Sequence, residues 1–203
     1  MKFIYDESFK ALFKCALLSL KEKHEFYHIS QFNPEWDNYK FVKYIKLDLS
    51  KIDSHELEKV KKIVNLAKYH FSENRFNILL GCLLEFIEGG FSLSINGFYT
   101  KLAVNMQREV LIELEKSKLL QYEKKDNAIF LNANFKNNIE KLVCRNLSYL
   151  HYGSYVFVRK NNKTYVSMNG LIREVPFYVD SPDLIEFQKQ KTIPNFSRSS
   201  IVG

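Results

Sequence analysis

The segment His24-Glu25-Phe26-Tyr27-His28 matches literally the His-Glu-x-x-His pattern, in which two imidazoles one helical turn apart hold zinc and the glutamate serves as general base. That chemistry needs a third ligand and a continuing apolar helix. The residues after His28 are turn formers instead, so the segment reads as the end of a first helix and not as a metalloprotease site. Asp180, Asp183 and Glu186 with Lys189 approximate the acidic cluster of a metal-dependent nuclease, but Pro182 breaks the stretch and no paired strands bring the carboxylates together on Mg²⁺. Gly89-Gly90 is not followed by Gly-Lys-Ser/Thr, which excludes a P-loop cradle. Cys15, Cys82 and Cys144 lie far apart in apolar helical patterns and form no Cys-x-x-Cys pair, so they read as buried free thiols in a reducing compartment. No serine or cysteine stands in a nucleophile motif. The expectation is a protein that is not an enzyme and carries no metal and no cofactor.

Composition bounds the rest. The 203 residues are 46% hydrophobic and 15% aromatic, enough to bury a core and too apolar for a disordered chain. No run of about 18 apolar residues occurs, so no membrane span is expected. Ala11–Leu20 is interrupted by Lys14 and lacks a cleavage site, so it is not read as a secretion signal, and a cytoplasmic location is expected.

Helical spacing of Phe9, Leu12, Phe13, Ala16, Leu17 and Leu20 predicts a first helix over 6–25, followed by a loop over 28–39. Alternation from Phe41 to Leu49 predicts a strand, and Asp53 with Glu56 predicts a capped helix whose inner face is Leu57, Val60, Ile63, Val64 and Ala67. Phe76 to Ile87 predicts another helix, stopped by Gly89-Gly90; Phe91–Ile95 alternates like a short strand; residues 98–104 and 106–118 read as two helices. Lys124-Lys125-Asp126-Asn127 is then a hairpin turn between apolar runs. Phe135 to Leu147 predicts a further helix, and Tyr155–Arg159, Thr164–Met168 and Leu171–Val175 predict a three-stranded antiparallel meander with Asn169-Gly170 as its turn. A short helix near Asp183–Lys189 and a partly flexible tail complete the reading. The fold class expected is α+β, mainly helical, in four parts: 1–75, 76–134, 135–180 and 181–203.

The order helix, short strand, helix, helix, hairpin over 75–132, with Glu113-Leu114-Glu115-Lys116-Ser117-Lys118-Leu119-Leu120 running from the third helix into the wing, resembles a winged helix-turn-helix. Lys118 stands where that family usually has glycine. At the level of architecture the chain is similar to accessory (KITE-like) subunits of SMC-type chromosome-handling or anti-phage defence complexes. That resemblance implies an adaptor whose partners are larger subunits, such as an ATPase or nuclease, and carries no residue across.

Charge separates the readings. The overall +7 is unevenly spread: residues 76–134 carry six basic and seven acidic groups, whereas 135–203 carry ten and five. A groove-reading winged helix needs uncompensated cations on its third helix and wing. Here Arg108, Lys116 and Lys118 face Glu109, Glu113 and Glu115, which disfavours a sequence-specific regulator reading DNA through Gln107 and Arg108. The cationic excess falls on Arg145, Arg159, Lys160, Lys163 and Arg173, expected to touch nucleic acid non-specifically, interleaved with Tyr149, Tyr152, Tyr155 and Tyr165, expected to anchor a protein partner. The leading expectation is a non-catalytic adaptor subunit of a nucleic-acid-handling complex; a transcriptional regulator and an unrecognised metal-dependent nuclease are the alternatives.

Overall fold

The computed structural model describes residues 1–21, 23–46, 52–160 and 163–175. The expected tail, the helix near Asp183–Lys189 and the acidic group of Asp180, Asp183 and Glu186 lie outside these residues. Helices and strands are mixed, and no described helix is long and apolar enough to cross a membrane. The chain divides into two compact units, Met1–Leu111 and Ile112–Gly203, at a point inside the segment read as the 76–134 module.

The first unit opens with β1 (Lys2–Tyr5), α1 (Phe9–Ser19) and β2 (Glu25–His28), a parallel β-α-β element in which β2 pairs with β1 from Lys2↔Glu25 to Tyr5↔His28. β3 (Tyr39–Phe41) joins the other edge of β1, also parallel, giving the order β2-β1-β3. Ser8 fixes the start of α1 by accepting a hydrogen bond from the Ala11 N–H at 3.2 Å. The helix expected over 6–25 is therefore shorter at both ends, and residues flanking it are strands too brief to show alternation. This also removes the zinc motif: His28 lies on a strand and His24 just ahead of it, so four extended residues separate them by about 13 Å. No group of three or more His, Cys, Asp or Glu able to hold a metal exists among the described residues.

α1 has almost no solvent side. Ala11 and Cys15 pack with Phe3 of β1 and Val42, while Phe9, Leu12, Phe13 and Ala16 join a larger core with α2 (Ser54–Ala67) and α3 (Arg75–Glu88). Val60, Val64, Leu79, Leu83 and Phe86 supply that core from α2 and α3. Asp53 caps α2 as expected, accepting from the His55 and Glu56 N–H groups, but the Glu56 carboxylate turns to Lys59 and to the Leu93 N–H.

That last bond explains one correction. Residues 91–95 form no strand, because the Phe91 N–H closes the end of α3 on the Phe86 carbonyl at 2.9 Å and the Leu93 N–H is taken by Glu56. Phe91 itself has φ +63°, which ends α3 and is incompatible with an extended ladder. Of the strand expected over 41–49, Phe41 ends β3 and a 3₁₀ turn follows over Val42–Tyr44, while 47–49 lie outside the described residues. A second correction concerns the two helices expected over 98–118, which are one continuous helix, α4 (Phe98–Ser117). Its cap is borrowed: Glu85 of α3 accepts from the Tyr99 N–H, the Thr100 N–H and the Thr100 hydroxyl at 2.8–3.0 Å.

The second unit is a five-stranded sheet ordered β4-β5-β6-β7-β8: β4 (Glu123–Lys125), β5 (Ala128–Asn132), β6 (Tyr155–Lys160), β7 (Lys163–Met168) and β8 (Leu171–Val175). The β6-β7-β8 meander is antiparallel as expected, and Asn169 and Gly170 have φ +50° and +83° in its turn. The expected wing hairpin, β4-β5, is not free-standing. β5 pairs in parallel with β6 through the crossover helix α5 (Glu140–Leu150), which extends the meander into one sheet.

Replacing Glu85 with Ala removes the acceptor of the Tyr99 and Thr100 N–H groups in the first turn of α4. A loss of about 1–2 kcal/mol in urea unfolding is expected, the usual size of a helix cap. Burial works against ionisation of Glu85, but the Tyr99 and Thr100 donors outweigh it and hold the carboxyl below its ordinary value. The contribution is therefore present above about pH 4.3 and is lost as the pH falls through the lower folded-state value.

Candidate functional site

α5 lies across one face of the sheet through Glu140, Val143, Cys144 and Ser148, a spacing that repeats each helical turn. Strand alternation then sorts the neighbouring side chains. Lys160 reaches Glu140 at 2.6 Å, and Glu174 sits between Lys163 at 2.7 Å and Lys141 at 3.6 Å, so these groups share the α5 face. Tyr165 belongs to the same face, half-buried, with the Lys141 ammonium 5.6 Å from its ring. Burial, with the nearby Glu174 and Glu140 charges, pushes its phenol up to about 12.

The opposite face carries Ala128, Phe130, Phe157, Val166 and Val175, all buried, with the Phe130 and Phe157 rings stacked at 4.8 Å. Arg159 and Arg173 belong to this side, and the Arg159 guanidinium lies 5.7 Å from the Phe130 ring. Tyr155 packs beside the same cluster. The five cations singled out in the sequence thus do not gather on one surface. Lys160 and Lys163 are engaged by carboxylates on one face, Arg159 by an aromatic ring on the other, Arg173 is exposed on the outer strand, and Arg145 is exposed on α5.

Two of the four tyrosines, Tyr149 and Tyr152, are exposed at and just after the end of α5. Tyr149 is 62%, Leu150 73% and Tyr152 79% exposed, and Leu171, the first residue of β8 after the Asn169-Gly170 turn, is 44% exposed. Tyr149 lies over the β7-β8 turn so closely that a Cβ on Gly170 would collide with its ring, so this position needs glycine for space as well as for φ. Tyr122, just ahead of β4, shares a 2.9 Å hydrogen bond with His151, and the two rings meet edge to face. The Tyr149–Gly170 approach thus brings the exposed end of α5 to the β7-β8 turn.

A single hydroxyl holds that surface in place. Ser148 is fully buried; its Oγ donates to the Arg145 carbonyl and accepts from both the Ser167 hydroxyl and the Gly170 N–H, each at 2.9 Å. One proton and two lone pairs are all used. Asn169 Oδ1 accepts from the Gly153 N–H and Asn127 donates to the Gly153 carbonyl, which ties the loop after α5 to the turns on either side. The sequence reading missed Leu150, Leu171, Tyr122 and His151. The available signal was Asn-Gly at a hairpin turn followed by an apolar residue, but nothing local says that the end of α5 docks there.

No family model, curated protein or solved structure matches this chain.

Ser148→Ala leaves the Gly170 N–H and the Ser167 hydroxyl without their acceptor in a buried site, and about 2–4 kcal/mol of stability is expected to be lost. Lys160→Ala leaves the Glu140 carboxylate, 3% exposed, without its ion partner, and about 3–5 kcal/mol is expected. Denaturant titration of the two variants checks both. A Lys160 substitution that leaves stability unchanged would return this residue to the set available for nucleic acid.

Proposed function

We propose that the chain is a non-catalytic adaptor that docks a protein partner through Tyr149, Leu150, Tyr152 and Leu171, with only weak, non-specific contact to nucleic acid. The observation that carries this reading is the exposed apolar surface at the end of α5, pinned from beneath by Ser148. Tyrosine presented on a rigid base is what a protein interface buries at its centre. The cations expected to grip phosphate support only a minor role for DNA, since Lys160 and Lys163 already hold carboxylates. Arg145, one turn before Tyr149 on α5, is exposed and makes no ion pair among the described residues, which suits an acidic rim on the partner.

Membership of a larger nucleic-acid-handling assembly, of the SMC or defence type, is part of the same proposal. Of the element order read as a winged helix over 75–132, α3 and the β4-β5 hairpin are present, whereas the strand over 91–95 and the break between a second and a third helix are not. The parallel bond from β5 to β6 is a feature that a free-standing wing lacks.

The test is quantitative co-purification from the native host with wild type, Tyr149→Ser/Tyr152→Ser, and Arg159→Ala/Lys163→Ala. The tyrosine pair is expected to deplete one defined partner at least tenfold with unchanged circular dichroism, and the cation pair to retain it. An unchanged partner set in the tyrosine variant, or sequence-selective duplex binding that disappears with Arg108→Ala, overturns the reading in favour of a DNA-reading regulator.

A further inference from the structure

The first unit contains a cleft that the adaptor reading does not use. It opens at the β2 edge of the parallel sheet, where four elements converge: Tyr5 from β1, Phe26 from β2, Leu12 and Cys15 from α1, and Phe76, Asn77 and Leu80 from α3. β1 and β2 place Tyr5 beside His28 and Phe3 beside Phe26 on the same side of the sheet, which is the side α1 covers. Ligands of open parallel sheets bind beyond the carboxyl ends of the strands, and Tyr5 and His28 are the last residues of theirs.

The lining is specific in its chemistry. Phe26 and Phe76 provide aromatic walls, and Leu12 and Leu80 aliphatic ones. Burial pushes the Cys15 thiol and the Tyr5 phenol each up to about 12, so both stay protonated and neutral. The Tyr5 hydroxyl and the Asn77 amide make no side-chain hydrogen bond among the described residues, leaving a donor and an amide edge open to a ligand. Charged groups at the rim engage one another: His28 Nε2 lies 3.7 Å and Arg75 4.0 Å from the Glu7 carboxylate, and the Arg75 guanidinium covers the Phe76 ring at 4.6 Å. His28 stacks on Phe76 at 5.8 Å and closes that wall. The cavity volume is about 240 Å³, below the roughly 300–1,000 Å³ of pockets for drug-sized molecules, so a one- or two-ring ligand fits.

We infer that this cleft binds a neutral, planar heteroaromatic ring that presents a hydrogen-bond donor and acceptor along one edge. Phe26 and Phe76 hold the ring by stacking and edge contacts, the Asn77 amide pairs with its polar edge as an asparagine pairs with a purine, and Tyr5 supplies one further hydrogen bond. An anion of the same size is disfavoured, because burial penalises the ion and the rim cation Arg75 already lies beside the Glu7 carboxylate. The site lies in the first unit, so its failure and that of the docking surface are distinguishable.

Saturation-transfer NMR on the full chain, with adenine and nicotinamide as probes and benzoate as the anionic control, tests this. Adenine or nicotinamide is expected to bind, benzoate to bind at least tenfold more weakly, Asn77→Leu to weaken the neutral probes about tenfold, and Tyr5→Phe about fivefold. Leu80→Trp, which fills the cleft from its own wall, is expected to abolish binding; Leu80→Met, which keeps the volume, is expected to retain it and guards against a folding defect. Absence of binding by both neutral probes at millimolar concentration, equal binding of benzoate, or binding that survives Leu80→Trp overturns the assignment. None of these variants is expected to alter the partner recovered through Tyr149 and Tyr152.

Discussion

The Ser148 hydroxyl is the constraint on which the second unit turns. It sits where a helix end, a strand and a hairpin turn converge, and it satisfies one group from each: the Arg145 carbonyl, the Ser167 hydroxyl and the Gly170 N–H. A hydrophobic residue there would fill the space but strand polar groups away from water. With Ser148 in place, Tyr149 lies over Gly170, and Leu150 and Tyr152 stay exposed at the end of the helix. The exposed surface proposed to meet a partner is the outer side of this buried polar joint.

The first unit is organised around apolar burial instead. α1 is packed on one side by the sheet, through Ala11 and Cys15, and on the other by α2 and α3, through Leu12, Phe13 and Ala16. The cleft arises where this packing is incomplete, between the N-terminal turn of α3 and the edge strand β2. Glu85 then carries the order forward by capping α4 from outside, a device that lets the helix begin after a glycine without its own Ser, Thr, Asp or Asn cap.

How much was legible in the sequence follows from the range of the interactions. The Asn169-Gly170 turn and the meander around it were readable because the turn chemistry and the strand alternation are local. α2 was readable from its own cap at Asp53. β1 and β2 were not, since strands of four residues carry too little pattern, and His24 and His28 were consequently assigned to a helix end. The strand expected at 91–95 failed because a distant glutamate, Glu56, claims its backbone donor, and α4 was split because its cap comes from Glu85. The candidate site was half readable. Tyr149 and Tyr152 are exposed, whereas Tyr165 and the cations Lys160 and Lys163 are tied to α5 and to carboxylates that sequence spacing does not reveal.

The central claim is that protein contact, and not phosphate contact, occupies the end of α5. Hydroxyl-radical footprinting of the protein free and in its native assembly reads this residue by residue. The account predicts strong protection of Tyr149, Leu150, Tyr152 and Leu171, with the Phe130–Phe157 cluster unchanged. Equal labelling of those four residues in the free and assembled states would contradict it.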